Sequence, residues 1–307
     1  MGKDILSVRD MQQDFEKIID LAIDLKKERY RRYPEADNKT LAMIFEKPST
    51  RTRVSFQVAM DQLGGHSIVL NPSDMQLGRG ETIEDTARVL SSFVDVIAYR
   101  AFKHHNMVTL ARNSTVPVIN ALDDIEHPVQ MLADFMTIKE VKGKLSGLKL
   151  VYVGDGNNVT NSLLYACAIL GINMIASTPQ DFGPDPTIFM MAKEMAREKN
   201  AVLTISHDPA NDMNGADVIY TDVWVSMGEE DRKERKERYF EGFQVNRQLI
   251  ARARKDYMFL HCLPAHRGLE VSEEIIDGPN SYVFQQAENR LHTEKALLLW
   301  LLRNKNI

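Results

Sequence analysis

Ser49-Thr50-Arg51-Thr52-Arg53 packs three hydroxyls and two guanidiniums into five residues. It follows an apolar run, Leu41-Ala42-Met43-Ile44-Phe45, and precedes a helical pattern of Val54, Phe56, Val58, Ala59 and Leu63. That context predicts a strand-to-helix turn, where free backbone N–H groups and the positive end of the helix dipole face a ligand. Hydroxyls and fork-shaped guanidiniums add charge-assisted bonds suited to an oxyanion. Phosphate is the ligand this chemistry fits. There is no Walker lysine and no glycine-rich loop, so a nucleoside triphosphate fits poorly. The plainer alternative is a helix cap beside two solvated arginines.

Four further clusters carry reactive or hydrogen-bonding groups. His127 and Gln130 lie at i and i+3 in His127-Pro128-Val129-Gln130, on one face of a first helical turn. They can donate to a carbonyl, or His127 can simply cap the helix. Gly154-Asp155-Gly156-Asn157-Asn158 imitates a dinucleotide fingerprint, but Val159 stands where its third glycine is required. Asn157, Asn158 and Asn161 fit better as amide partners of a small polar ligand, with a cap at Asn157 as the alternative. In Asp222-Val223-Trp224-Val225-Ser226-Met227-Gly228, Asp222 can bind an ammonium and Ser226 an amino-acid head group; Asp222 could equally cap a following helix. His261-Cys262-Leu263-Pro264 offers a thiol beside an imidazole. A metal site lacks further cysteines at ligand spacing, and a thiol protease lacks any other signature. Cys262 is left as a polar contact, a proton acceptor or an inert buried thiol.

The elements that must position these groups alternate along the chain. Short apolar strands are predicted at 41–45, 67–70, 95–99 and 116–119 in the first half, and at 148–153, 172–177, 201–205, 216–220 and 256–261 in the second. Helical periodicity occupies 14–30, 52–64, 82–93, 104–112, 128–141, 158–170, 185–199, 243–254 and 286–303. Alternation of this kind predicts an α/β protein with parallel sheets covered by helices on both faces. The strands are too many for one comfortable sheet, and Lys142-Gly143-Lys144 with Ser146-Gly147 marks a break. Two doubly wound domains follow, with ligands beyond the carboxyl ends of the strands and the active site in the cleft between the domains. The clusters fall at strand ends, as does Arg100. The mixed-charge run Glu229 to Arg238 reads as a solvated helix or mobile loop, with a lid role as the alternative.

The 307 residues suit two α/β domains of ordinary size. A hydrophobic content of 44% and a charged content of 26% describe a soluble globular chain. The net charge of -5 argues against non-specific nucleic-acid binding. Two cysteines build no disulfide framework, and the amino terminus has no signal-peptide core. No apolar run reaches membrane-spanning length. A cytoplasmic protein is expected.

Taken together and in order, these stretches resemble the transcarbamoylases, and most closely their ornithine-type members. The blocks are Ser49 to Arg53, Asp85-Thr86-Ala87-Arg88-Val89-Leu90, Arg100, and His127 to Gln130 with Leu132-Ala133-Asp134. The ornithine-type marks D-x-x-x-S-M-G (Asp222 to Gly228) and H-C-L-P (His261 to Pro264) are intact. The resemblance implies transfer of the carbamoyl group of carbamoyl phosphate to the δ-amine of ornithine, with no cofactor and no metal. It implies a carbamoyl-phosphate domain, 1–140 plus a returning helix 286–307, and an ornithine domain, 141–285. Carbamoyl phosphate would be held by Ser49, Thr50, Arg51, Thr52, Arg100, His127, Gln130, the Leu263 carbonyl and Arg290. Gln76 would reach in from a neighbouring copy of a homotrimer. Ornithine would be held by Asn158, Asp222, Ser226 and Met227. Arg100, His127, Asp222 and Cys262 would be catalytic. The nearest rival is a transcarbamoylase for another amine, such as putrescine or an N-acylated ornithine. Further rivals are a non-catalytic subunit and a nucleotide-binding oxidoreductase.

Overall fold

The computed structural model describes residues 4–71, 75–76, 80–225, 236 and 238–304. The chain forms two compact units, Met1–Met136 with Glu288–Ile307, and Thr137–Ala287.

The sheet of the first unit holds β1 (Thr40–Phe45), β2 (His66–Leu70), β3 (Val96–Arg100) and β4 (Val118–Leu122). The order is β2-β1-β3-β4, and every pairing is parallel. β1 and β3 are buried almost end to end. They show no in-out alternation because helices cover both faces. That cover comes from α1 (Phe15–Lys27), α2 (Arg51–Leu63), α3 (Ile83–Ser91), α4 (His104–Asn113) and the start of α5 (Pro128–Lys142). α1 buries Phe15, Ile18, Ile19, Ala22 and Leu25, the i, i+3, i+4, i+7 stripe of an amphipathic helix. α2 ends at Gly64, whose φ of 107° lies in the left-handed region that glycine adopts without strain.

Sequence periodicity gave no sign of the amino-terminal segment's role. Ile5 bridges Ile119 in parallel, and the Asp4 carboxylate accepts the Val118 N–H at 2.9 Å. The segment thereby covers the β4 edge, which would otherwise leave backbone groups unpaired.

The second unit has β5 (Lys149–Val153), β6 (Asn173–Ser177), β7 (Leu203–Ser206), β8 (Val218–Thr221) and β9 (Met258–His261). The order is β7-β6-β5-β8-β9, again parallel. α6 (Asn158–Leu170) is buried from Val159 onward on every face. α7 (Pro186–Glu198) is half-buried, started by an Asp185 cap and a proline at its first turn. Two one-turn helices follow, α8 (Pro209–Asp212) and α9 (Glu273–Ile276). Val151, Val153, Ile219, Trp224, Phe240, Phe259 and Ile275 form a continuous core.

One predicted helix is not there. Within 243–254 the chain makes a single 3-10 turn, Leu249–Arg252. Val245 bridges Val271 instead. Gln244 donates to the carbonyls of Gly268 and Leu269, and the Asn246 side chain takes the Leu249 N–H at 3.0 Å. These bonds occupy groups that a longer helix would need. The last helix, α10 (Val283–Arg303), begins in the second unit's stretch of chain and continues into the first's.

Candidate active site

In the first unit the strand order reverses between β1 and β3, the position where an open α/β sheet leaves room for a ligand. The 49–53 cluster follows β1, and Arg100 ends β3. Thr50 stands at the N-cap of α2, yet its side chain makes no cap hydrogen bond. Its hydroxyl is not consumed by local structure, which favours the anion-site reading. Thr52 is buried, Ser49 and Arg51 are half-buried, and Thr50 and Arg53 are exposed.

Arg100 is buried and held by its neighbours. Its carbonyl accepts the Glu46 N–H at 2.9 Å. The Glu46 carboxylate accepts the Tyr99 hydroxyl at 2.5 Å and the Phe102 N–H at 2.6 Å, gripping the chain on both sides of Arg100. Beside it lies buried Lys47, with its ammonium 5.2 Å from the Phe102 ring centre. Burial, then the charge of Arg100, lowers the Lys47 pKa.

His127 leads into α5. The loop before it is folded around Asp123, whose carboxylate takes the N–H groups of Ile125 and Glu126 at 2.8 Å each. Burial first, and then the charges of Arg290, Arg100 and Arg51, push the His127 pKa well below its usual range. The imidazole is therefore neutral and can offer one N–H to a carbonyl oxygen.

Arg290 comes from α10 and joins this group. Its Nη1 donates to Gln130 Oε1 at 2.6 Å and its Nη2 to Thr52 Oγ1 at 3.1 Å. The Gln130 amide in turn donates to Asp134 at 2.8 Å, which fixes its flip. Thr52, Gln130 and Arg290 thus form one connected set, with Arg51, Arg100 and His127 within electrostatic reach. Gln76 is exposed, and its carbonyl takes the Glu81 N–H.

In the second unit the order reverses between β5 and β8. Gly156 follows β5. A Cβ placed on it would lie 2.1 Å from the carbonyl carbon of Gly183. Close backbone approach explains this glycine, with no nucleotide required. Asn157 is the helix cap, and its amide is also bonded to Asp222. Its Oδ1 caps α6 by accepting from Val159 and Thr160, while its Nδ2 donates to Asp222 at 2.8 Å. Asn158 is the first residue of α6 and is half-buried.

Asp222 is buried just past β8. One carboxylate oxygen takes Asn157, and the other takes the Cys262 thiol at 3.0 Å. Residues 223–225 are not helical, so Asp222 is not a helix cap. His261 Nδ1 accepts the Leu263 N–H at 2.9 Å, which leaves Nε2 to donate towards Glu270 at 3.3 Å. Burial raises the Glu270 pKa, but bonds from His261 and the His266 backbone outweigh it and hold Glu270 below its usual value. Leu263 adopts φ 58°, a conformation held in place by the bond to His261. Asp222, His261 and Cys262 place three potential ligand atoms within 4.8 Å. Both imidazole nitrogens are already committed, however, and tetrahedral zinc needs a further donor. Asn157, Asp222 and Cys262 form a hydrogen-bonded chain, while His261 is bonded to the Leu263 backbone and Glu270. Ser226 and Met227 lie outside the described residues, as does most of 229–238. Lys236 is described, and its buried ammonium pairs with Asp155 at 2.7 Å.

Periodicity and spacing missed Glu46, Lys47, Glu270 and Glu294. Of these, only Glu294 left a readable signal, its i, i+4 spacing from Arg290.

Two family descriptions match, together spanning most of the chain. Residues 3–140 match the carbamoyl-P binding domain of aspartate/ornithine carbamoyltransferase, and residues 146–301 match its Asp/Orn binding domain. The chain belongs to the aspartate/ornithine carbamoyltransferase family. Within this carbamoyltransferase family, a catabolic ornithine carbamoyltransferase of Thermoplasma acidophilum is 57% identical over 98% of both chains. The ornithine carbamoyltransferase structure from Pyrococcus furiosus superposes with a TM-score of 0.93 at 51% identity, covering 97% of this chain and 96% of that one. An acetylornithine transcarbamylase complexed with acetylcitrulline is more distant, at 30% identity and a TM-score of 0.88, with 97% and 99% coverage. Two parallel-sheet α/β units are the architecture expected from sequence. No described helix is long and apolar enough to cross a membrane.

Proposed function

We propose that the protein transfers the carbamoyl group of carbamoyl phosphate to the δ-amine of L-ornithine, giving L-citrulline and phosphate. The observation that carries this reading is the Asp222 carboxylate, buried and held between Asn157 and Cys262, in a chain of this family. A negative charge there suits an amino-acid ammonium. The intact ornithine-type marks and the names of the most similar relatives point to free ornithine.

In the proposed mechanism Ser49, Thr50, Arg51 and Thr52 hold the phosphate. Thr52, Arg100 and neutral His127 face the carbonyl oxygen and stabilise the charge that grows there as the amine attacks. Gln130 and the Leu263 carbonyl hold the carbamoyl NH₂, and Arg290 braces carbamoyl phosphate from α10. Asn158, Asp222, Ser226 and Met227 hold the amino-acid part. The attacking amine is neutral. Its proton passes to Cys262 Sγ as the thiol proton passes to Asp222, and the tetrahedral intermediate collapses with loss of phosphate. We assign carbamoyl phosphate to 1–140 with 286–307 and ornithine to 141–285.

We further propose a cytoplasmic homotrimer, or a multiple of trimers, serving arginine synthesis, with Gln76 reaching a neighbouring site. Val54, Ile68, Val89 and Phe93 of the first unit are apolar and 48–73% exposed, and association with further copies would bury groups of this kind. Light scattering on the purified protein tests the assembly.

The decisive assay mixes the protein with carbamoyl phosphate and, separately, ornithine, acetylornithine, putrescine and aspartate. Citrulline from ornithine, with weak or no product from the others, is the expected result. Product from another amine alone would overturn the assignment of the 222–228 loop.

A further inference from the structure

The charge of Arg290 is balanced by a group that the mechanism does not use. Glu294 lies one turn further along α10, and its side chain is 0% exposed. Its Oε1 accepts both Arg290 Nε at 3.1 Å and Nη2 at 2.5 Å. With Gln130 on Nη1 and Thr52 also on Nη2, four of the five guanidinium N–H groups are used within the described residues. One N–H on Nη1 is left for a ligand.

The other carboxyl oxygen, Oε2, is buried and receives no hydrogen bond from the described residues. The Ser55 hydroxyl faces the carboxyl, but its only proton goes to the Arg51 carbonyl at 2.7 Å. Oε2 is thus the less satisfied oxygen of the two and the natural seat for a proton. Burial, the largest influence, lifts the Glu294 pKa to about 7, against the lowering effects of Arg290 and Ser55.

We propose that Glu294 is a positioning residue for Arg290 that exchanges a proton as the anionic substrate comes and goes. This rests on the assignment of Arg290 to carbamoyl phosphate. Ionised, Glu294 neutralises the guanidinium of the empty site and fixes its plane through Nε and Nη2. When the phosphate claims the same positive charge, two anions compete for one guanidinium, and the carboxyl takes up a proton from solvent. The proton lodges on Oε2, the oxygen that receives no hydrogen bond from the described residues, and Oε1 keeps hold of Nε. The charged and titratable groups around Glu294 support this assignment. Arg290 faces it from its own helix, and α2 presents the Ser55 hydroxyl. Arg51, Arg100 and neutral His127 cluster with Arg290, and Asp134 is held by Gln130. Lys295, next in sequence, donates to the Arg29 carbonyl.

The test measures the KM for carbamoyl phosphate at saturating ornithine from pH 6 to 8.5, together with proton uptake on carbamoyl phosphate binding. Uptake is read calorimetrically in buffers of different ionisation heat, which needs no turnover. In the wild type, KM should rise about fivefold or more across this range and binding should take up protons. Glu294→Gln keeps an acceptor for Nε but cannot titrate, so its KM should be flat and the extra uptake absent, with the KM for ornithine unchanged. Ser55→Ala removes a hydroxyl that lowers the Glu294 pKa and should move the wild-type curve to higher pH. It serves alone if Glu294→Gln fails to fold. A flat wild-type profile, a Glu294→Gln profile that follows the wild type, or an unmoved Ser55→Ala curve overturns the proposal. A wild type that binds carbamoyl phosphate with proton uptake yet carbamoylates no ornithine would overturn the functional reading and leave this one standing.

Discussion

The polar clusters of the two units are built on opposite plans. In the first unit several cations, Arg51, Arg100, Arg290 and Lys47, gather around a neutral imidazole, and Thr52, Gln130 and Arg290 are bound to one another. In the second unit one buried carboxylate, Asp222, is served by two donors, Asn157 and Cys262. A phosphate has several oxygens and two charges to satisfy, so the work can be divided. An ammonium needs one charge partner, and nothing replaces it. The first half should therefore lose activity in steps, and the second at once.

The largest effect expected is at Asp222. Asp222→Asn keeps the shape but removes the charge, and should lower kcat/KM for ornithine by about 10³-fold or more while carbamoyl phosphate binding survives. A variant with near-wild-type kcat/KM would break the contrast. Arg100→Ala should cost about 3 kcal/mol in the transition state, roughly 10²-fold in kcat, because one preorganised donor is lost and others remain. Steady-state kinetics would show it, and unchanged turnover removes Arg100 from the mechanism.

A smaller effect is expected at Glu270, which touches no proposed substrate. Glu270→Gln should lower kcat about tenfold through a loosened His261 and Leu263, with the KM for carbamoyl phosphate moved less. Equal damage to both parameters would mean that the two halves are not separable at this point. The pH dependence sharpens the picture. If the attacking amine must be neutral, kcat/KM for ornithine rises with pH above neutrality. A flat profile would contradict that.

The smallest effect concerns stability. Burial raises the Glu126 pKa to about 7, against its bonds to Ser7 and Val8. A carboxyl whose folded pKa lies above its unfolded value favours the fold most when protonated. Its contribution is full below about pH 4.5 and is lost as pH rises through 7. Glu126→Gln should therefore be the more stable form at pH 8 by roughly 1 kcal/mol, read by urea unfolding at pH 5 and pH 8. A wild-type advantage at pH 8 would reverse the sign.

Much of this architecture is legible in the chain itself. Apolar runs and helical periods placed all nine strands of the described sheets to within three residues, and the chemistry sat at their carboxyl ends. What sequence could not supply was partnership across distance. Asn157 meets Asp222 from 65 residues away, and Arg290 meets Thr52 from 238. The cap at Asn157 could be read from sequence, but the bond from its amide nitrogen to Asp222 could not. The helix expected at 243–254 failed for the opposite reason. Its period was real, yet Gln244, Val245 and Asn246 were already bonded elsewhere.

The last helix has a consequence for how the protein is made. The second unit is an uninterrupted stretch, 137–287, whereas the first is completed only by residues from Glu288 onward. A ribosome that has just added residue 287 has delivered every residue of the second unit and neither Arg290 nor Glu294 to the first. A chain cut short there can contain every ornithine contact proposed above and still lack the arginine that braces carbamoyl phosphate. Synthesis thus carries its own proof of length: only a polypeptide continued past Arg290 can complete the buried Arg290–Thr52–Gln130 set.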